Sequence, residues 1–143
     1  MDDGQDNQDD YRLDDQVGFL MRRANQRHLG VFGAHIPDMT PTQFAALAKL
    51  CELGRVSQNA LGRATAMDAA TIKGVIDRLR RRGYVFSSPD PDDQRRIHIE
   101  PTADGRAAFE TLAPAALKAT ADTLAPLSAK ERAQFIALLT RLA

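Results

Sequence analysis

The sequence predicts a mainly α-helical fold that carries one small β-hairpin. Over most of the 143 residues, apolar side chains recur at spacings of three and four, which is the periodicity of amphipathic helices. Two short β-prone runs, Tyr84–Phe86 and Ile97–Ile99, stand apart from that pattern. A hydrophobic content of 43% and a charged content of 27% are typical of one globular domain of this length.

The composition excludes several classes of protein. No apolar run reaches the roughly 18 residues of a membrane span, and the acidic start lacks the apolar segment of a secretory signal. Cys51 is the single cysteine, and His28, His35 and His98 lack the spacing of zinc ligands, so neither a disulfide nor a metal site is expected. We therefore expect a cytoplasmic protein that holds no cofactor.

The N-terminal region divides into a tail and a helix. Residues 1–12 are acidic and contain almost nothing that a core could use, so we expect them to be disordered. From Leu13 to about Phe32 the apolar residues have helical spacing, which predicts an amphipathic helix. The helix is expected to end at the breakers that follow, Gly30, Gly33 and Pro37.

Three helices are predicted next, each from its capping residue. Thr40 can cap a helix that has a proline in its first turn and the residues of a capping box, and Gly54 ends this helix. Ser57 caps a short helix, and Asp68 caps another that runs to Arg82 before Gly83. The apolar residues of this last helix share one face: Ile72, Val75, Ile76 and Leu79.

The two β-prone runs flank a charged segment, so they predict a hairpin with a long tip. His98 alternates with Ile97 and Ile99, which places it on the solvent side of its strand in this interpretation. The acidic run Asp90, Asp92 and Asp93 lacks a calcium-loop pattern and is interpreted as a solvated loop with one structural Asp–Arg pair.

Two further helices are predicted after the hairpin. Thr102 caps a long alanine-rich helix, in which Pro114 is expected to cause a bend or a break. Ser128 and Glu131 form a capping box that begins a final helix. The long helix is expected to use this apolar set: Phe109, Leu112, Ala116, Leu117 and Leu124.

A short helix, a basic helix and a β-hairpin in this order are typical of a winged helix-turn-helix. Residues 62–82 carry six cations against two aspartates, and fifteen of the chain's 19 cations are arginine, which favours bidentate contacts with phosphates and base edges. Arg95 and Arg96 add a second basic feature at the hairpin tip. Two adjacent basic features favour binding of double-stranded DNA over a merely solvated charged face.

Residues 40–106 resemble the MarR (multiple-antibiotic-resistance regulator) family of bacterial transcription factors. The resemblance rests on these stretches: Thr40-Pro41-Thr42-Gln43-Phe44, Ser57-Gln58-Asn59-Ala60-Leu61, Asp77-Arg78-Leu79, Arg82-Gly83-Tyr84-Val85, Asp93-Gln94-Arg95-Arg96 and Pro101-Thr102-Ala103-Asp104-Gly105. The helices on either side also fit. The resemblance implies a homodimer that binds a pseudo-palindromic operator, represses transcription and releases DNA when a small molecule binds.

The resemblance also assigns DNA-binding residues by position. It makes the helix after Asp68 the recognition helix, Arg95 the wing-tip arginine and Asp93 the acidic partner that steadies the wing. Two residues depart from the family pattern: Gly74, where many members have arginine, and Pro101, where many have leucine. The predicted DNA-binding set is Ala69, Ala70, Thr71, Lys73, Arg80, Arg95 and Arg96.

Residues 18–28 and 65–74 are similar to one branch of the family, whose members control the degradation of aromatic acids and often respond to aryl-coenzyme A thioesters. On this hypothesis Arg22, Arg23 and Arg27 hold coenzyme A phosphates. An aryl pocket is then lined by Phe19, Gln26, His28 and Phe32. The competing interpretation is that these arginines are solvated or contact DNA.

The predicted organisation has four parts: a tail at 1–12, an N-terminal dimerisation helix at 13–38, a winged DNA-binding domain at 39–101, and C-terminal dimerisation helices at 102–143. A protein-binding winged helix is one alternative. A thiol-based redox sensor is another, although Cys51 shares a helix face with apolar residues, which favours an inert thiol. An enzyme is not expected, because no glycine-rich phosphate loop, nucleophile elbow or catalytic carboxylate pair is present.

Overall fold

The computed structural model describes residues 10–143, so most of the predicted acidic tail lies outside the described residues. A short 3-10 turn at Leu13–Asp15 precedes the first α-helix. The elements in chain order are α1 Val17–His35, α2 Pro41–Leu53, β1 Val56–Ser57, α3 Gln58–Ala64, α4 Ala69–Arg81, β2 Val85–Pro89, β3 Ile97–Pro101, α5 Ala103–Thr123 and α6 Ala129–Leu142. The mainly α-helical fold with a small wing is confirmed.

The five helix starts predicted from capping residues are confirmed, because a cap acts within four residues of sequence. The Thr40 and Ser128 side chains each accept the backbone N–H of the residue three positions on, and the returning bonds of both capping boxes are present. Ser57, Asp68 and Thr102 cap α3, α4 and α5 in the same way.

The wing contains one strand more than predicted. Its antiparallel sheet has the order β1-β3-β2, in which His98 lies opposite Ser57 on one side and Ser88 on the other. The two residues of β1 are too few for an alternating pattern, and this explains why the sequence did not show them.

The first helix was predicted wrongly at both ends. It begins at Val17, after a 3-10 turn at Leu13–Asp15, and it continues through Gly30 and Gly33 to His35. Of the two effects expected of Pro114, a break does not occur, because α5 continues to Thr123. Proline leaves the carbonyl of Glu110 without its helical partner, but both residues lie on the exposed side, where water can hydrate that carbonyl.

The core lies between α2, α4 and the sheet, and is closed by parts of α1 and α5. The predicted face of α4 is buried, with Ile72, Val75, Ile76 and Leu79 at most 7% exposed. The first turn of α5 approaches the backbone of Tyr84 so closely that a Cβ on Gly105 would lie 2.0 Å from the Tyr84 carbonyl oxygen. This contact joins the long helix to the base of the wing.

The terminal helices leave much apolar surface open. Phe135, Leu138 and Leu142 of α6 are 42%, 57% and 73% exposed, and they face Leu20 and Met21 of α1 across an apolar groove of about 290 Å³. Leu117, predicted to lie on the apolar face of α5, is 71% exposed. Among the residues that the structure describes, no helix combines the length and the apolar character needed to cross a membrane.

Candidate nucleic-acid interface and effector face

The N-terminal turn of α4 presents small side chains to solvent. Ala69, Ala70, Thr71 and Lys73 are all exposed, opposite the buried face. Asp68 accepts the Thr71 amide at 2.7 Å, and this hydrogen bond holds the pKa of Asp68 below its ordinary value. A helix with a fixed, open N-terminal turn can enter a major groove closely.

Arg80, predicted to face DNA, has protein partners in this structure. Its Nη1 donates to Asp77 at 2.8 Å and its Nε donates to the Ser87 hydroxyl at 3.2 Å. Arg80 therefore links α4 to β2, and a phosphate would have to compete with Asp77 for its charge.

The tip of the wing is organised by aspartates. Asp93 accepts both the backbone N–H and the Nε of Arg95, at 3.0 and 3.2 Å, which is the Asp–Arg pair expected in this loop. The Arg95 side chain is 91% exposed despite this pair. Its guanidinium thus projects into solvent from a braced position.

The prediction that His98 faces solvent was wrong. Its side chain is 22% exposed, and Nε2 lies 2.8 Å from Asp90 Oδ2. The extra strand β1 pairs with the edge of β3 that a two-stranded hairpin would have left open, and it places Ser57 beside His98.

A polar cleft between α3 and the wing brings Arg95 and Arg96 together with residues outside the predicted DNA-binding set. The cleft has a volume of about 260 Å³ and is lined on its α3 side by Ser57, Gln58, Asn59 and Arg63. Within the described part of the chain, neither Arg63 nor Arg96 forms a salt bridge. The excess of cations in residues 62–82 was the available signal for Arg63.

The predicted effector residues Arg27 and His28 are bound to the C-terminal end of α5. Arg27 donates to the carbonyls of Thr123 and Asp122 at 2.6 and 3.1 Å. The Thr123 hydroxyl donates to the Ala119 carbonyl at 2.8 Å, so its oxygen accepts the hydrogen of His28 Nδ1 at 2.7 Å. The Nε2 atom of His28 is left for another partner.

The other predicted effector residues divide between surface and core. Arg22, Arg23 and Gln26 are exposed, and the Arg23 guanidinium lies 5.8 Å from the centre of the half-buried Phe19 ring. Phe32 is 6% exposed and packs in the core, although it also borders a cavity of about 450 Å³ beside the loop from α1 to α2. The structure does not gather all seven residues around one opening.

Cys51 lies half-buried on α2 beside Phe109 and Arg106. Burial raises the pKa of its thiol, which lowers the fraction of reactive thiolate. This environment matches the inert thiol favoured from the sequence. In residues 10–143 no group of three or more His, Cys, Asp or Glu side chains could hold a metal ion.

Sequence comparison connects this geometry to known regulators. The profile of the MarR family matches residues 39–97, from the end of the α1–α2 loop to the start of β3. The chain is 42% identical over 108 residues to the HTH-type transcriptional repressor NicR of Pseudomonas putida, an alignment that covers 74% of this chain and 68% of NicR.

Solved structures extend the similarity to the terminal helices. A probable transcriptional regulator from Pseudomonas aeruginosa is 50% identical, with a TM-score of 0.89 over 92% of this chain and all of that one. Bordetella bronchiseptica BpsR, whose DNA binding is regulated by 6-hydroxynicotinic acid, is 39% identical, with a TM-score of 0.88 over 93% of this chain and 96% of BpsR.

Proposed function

This chain belongs to the MarR family of transcriptional regulators, and on that premise we propose that it is a homodimeric repressor that binds operator DNA and releases it when a small aromatic effector binds. One observation carries the proposal: the first turn of α4 and the Arg95 side chain on the wing are both exposed, and an ion pair holds Arg95 in place. The two features lie on adjacent elements of one winged module.

DNA binding follows from what each surface offers. The small side chains Ala69 and Ala70 let α4 approach base edges, and Thr71 and Lys73 supply polar contacts there. Arg95 and Arg96 reach a neighbouring minor groove or its phosphates. Arg63, across the cleft from them, adds a phosphate contact from α3. Arg80 is expected to bind phosphate more weakly, because Asp77 already compensates its charge.

A dimer follows from the exposed apolar groove between α1 and α6. Segments 13–38 and 102–143, the proposed dimerisation regions, leave Leu20, Phe135 and Leu138 more than 40% exposed. A continuous apolar surface of this kind marks an interface, and a second copy of the same helices would cover it. Two-fold symmetry then places two α4 helices about one DNA turn, 34–36 Å, apart.

The proposed effector is an aromatic carboxylic acid such as 6-hydroxynicotinic acid, the regulator of BpsR. His28 Nε2 has no hydrogen-bond partner among the described residues, and the Arg27 guanidinium beside it is already aligned by α5. The carboxylate of 6-hydroxynicotinic acid can pair with the Arg27 guanidinium, and its hydroxyl group can donate to the lone pair of His28 Nε2. Because Arg27 and His28 also hold the end of α5, such binding would act on the helix that joins the winged domain to α6.

The larger candidate effector is an aryl-coenzyme A thioester. The observation that favours it is the exposure of Arg22 and Arg23, which form no salt bridge with any residue from 10 to 143. Free guanidinium groups suit coenzyme A phosphates. The thioester and the free acid make different demands on these two arginines, so they can be separated by experiment.

The test is a fluorescence-polarisation titration of the protein with duplex DNA from immediately upstream of its own gene. We expect salt-dependent, sequence-specific binding, because phosphate contacts release counterions. Arg95→Ala should weaken binding by about 1–3 kcal/mol, and Arg63→Ala should lower the salt slope by about one unit. Adding 6-hydroxynicotinic acid should release the DNA, and benzoyl-coenzyme A and benzoate form the comparison pair for the thioester.

Arg12→Ala is the matched control, since Arg12 is an exposed arginine outside the winged domain. It should leave both the affinity and the salt slope unchanged. Equal affinity for a random duplex would contradict the operator function. Release by the thioester but not by the free acids, and its loss in Arg22→Ala and Arg23→Ala, would replace the small-acid proposal with the coenzyme A proposal.

A further inference from the structure

The base of the wing tip contains a His–Asp pair in which neither residue is a proposed DNA contact. His98 lies on β3, the central strand, and Asp90 follows the last residue of β2. Nε2 of His98 and Oδ2 of Asp90 are 2.8 Å apart, with side chains 22% and 14% exposed. A pair this well covered on a small sheet is more than an incidental surface contact.

The pair anchors the whole tip through Asp90. The other carboxylate oxygen of Asp90 accepts the Asp92 amide at 2.8 Å, and the Asp90 amide donates to the Arg96 carbonyl at 2.9 Å. The pKa of Asp90 is held below its ordinary value, first by the hydrogen bond from the Asp92 amide and then by the one from His98. Asp90 is therefore a carboxylate that accepts hydrogen bonds from both the tip and the sheet.

The tautomer of the His98 ring follows from its partners. Nδ1 of His98 is buried and has no hydrogen-bond partner among the described residues, whereas Nε2 faces a carboxylate. The tautomer with its hydrogen on Nε2 donates to Asp90 and avoids a buried N–H without an acceptor. The same strand position faces Ser57 on β1, and Ser57 lines the cleft that contains Arg95 and Arg96.

We propose that His98 is a positioning residue for DNA binding: by donating to Asp90 it holds the 90–96 tip against the sheet, so that Arg95 and Arg96 meet DNA in a fixed orientation. The inference rests on the proposed DNA-binding function. His98 itself contacts no DNA in this arrangement, because it lies beneath the tip. Its effect on affinity passes through the arginines that it orients.

The experiment is a double-substitution cycle on operator affinity. His98→Leu should weaken binding about threefold to tenfold, less than the complete loss of an arginine contact. Adding Arg95→Ala to His98→Leu should cost clearly less than Arg95→Ala costs in the natural chain, since the contact is already impaired. His98→Gln, whose amide can still donate to Asp90, should restore most of the affinity.

A second readout does not depend on DNA. In the free protein, backbone ¹⁵N relaxation should show greater mobility for residues 91–96 in His98→Leu and near-natural values in His98→Gln. If His98→Leu does not fold, both measurements are repeated on Asp90→Asn, which removes the carboxylate oxygen that accepts from His98 but keeps an oxygen for the Asp92 amide.

His35→Leu is the matched control, because His35 Nε2 also binds an aspartate at 2.6 Å, but this partner, Asp122, lies at the end of α5 opposite the wing. Its effect should be additive with Arg95→Ala. Full additivity for His98→Leu, or unchanged affinity and unchanged tip mobility, would overturn the inference. A natural chain that binds no duplex, together with a mobile tip in His98→Leu, would defeat the DNA-binding proposal while leaving the anchoring role of His98 in place.

Discussion

Helix α4 of the winged domain and the terminal helix α6 are both amphipathic, yet they bury their apolar faces very differently. Ile72, Ile76 and Leu79 of α4 are each 1% exposed, whereas α6 has no buried residue. Both helices begin with well-formed caps, so local sequence does not separate them. What differs is whether the same chain supplies a surface for the apolar face to pack against.

The difference divides the molecule into two regions. The winged domain packs its own core, and this core fixes α4 relative to the wing. The terminal helices leave apolar residues exposed, and in the proposed dimer a second copy would cover them. The stability of the first region should therefore be independent of protein concentration, and that of the second should depend on it.

The largest expected effect tests the core of the winged domain. Leu79→Ala should lower the free energy of unfolding by about 2–5 kcal/mol, because it leaves a cavity beside well-packed neighbours. Urea denaturation at two protein concentrations measures this loss, which should be the same at both. Leu142→Ala, the same change at a side chain that is 73% exposed, should cost little at the lower concentration. Equal losses for the two variants there would remove the contrast between the regions.

A smaller effect is expected from placing a charged side chain in the apolar groove between α1 and α6. Leu20→Asp should weaken self-association by at least about 2 kcal/mol, roughly thirtyfold in the dissociation constant, because a carboxylate would be buried in the interface. Sedimentation velocity across micromolar concentrations measures the shift towards monomer. The control is Leu53→Asp on α2, since Leu53 is 48% exposed and Leu20 is 45% exposed. Dissociation by Leu53→Asp instead would place the interface on the winged domain.

The smallest effect concerns the caps of the two helices in acid. Hydrogen bonds to the backbone amides of Thr71 and Ser128 hold the pKa values of Asp68 and Glu131 below their ordinary values. Carboxylates with a lowered folded-state pKa stabilise the protein above the unfolded-state value, and this contribution is lost as the pH falls through the folded-state value. The loss should therefore occur below about pH 4.

Asp68→Asn keeps a capping oxygen but does not titrate, so it should flatten the acid dependence of unfolding of the winged domain. Glu131→Gln should do the same for α6 only. Urea midpoints measured from about pH 5 down to pH 3 check both variants. An unchanged acid slope in Asp68→Asn would show that this cap does not titrate with folding.

Much of the fold was predictable because its signals are local. The caps at Thr40 and Ser128 and the apolar spacing of α4 each act within a few residues, and all three are confirmed. The Asp93–Arg95 pair was predictable for the same reason, since its members are two residues apart. The continuation of α1 through Gly33 was not, because tertiary packing can outweigh a weak helix former.

The sequence by itself determined where the five capped helices begin, which face of α4 is buried and which basic residues lie on α4 and the wing. Only the tertiary structure decided the neighbours of three side chains. Arg27 contacts Thr123 across 96 residues, His98 lies beside Ser57 of β1, and Arg63 lines a cleft together with the wing tip. Caps and periodicity depend on backbone geometry within one or two turns. Contacts between distant segments depend on how complete elements pack, and no short pattern encodes that arrangement.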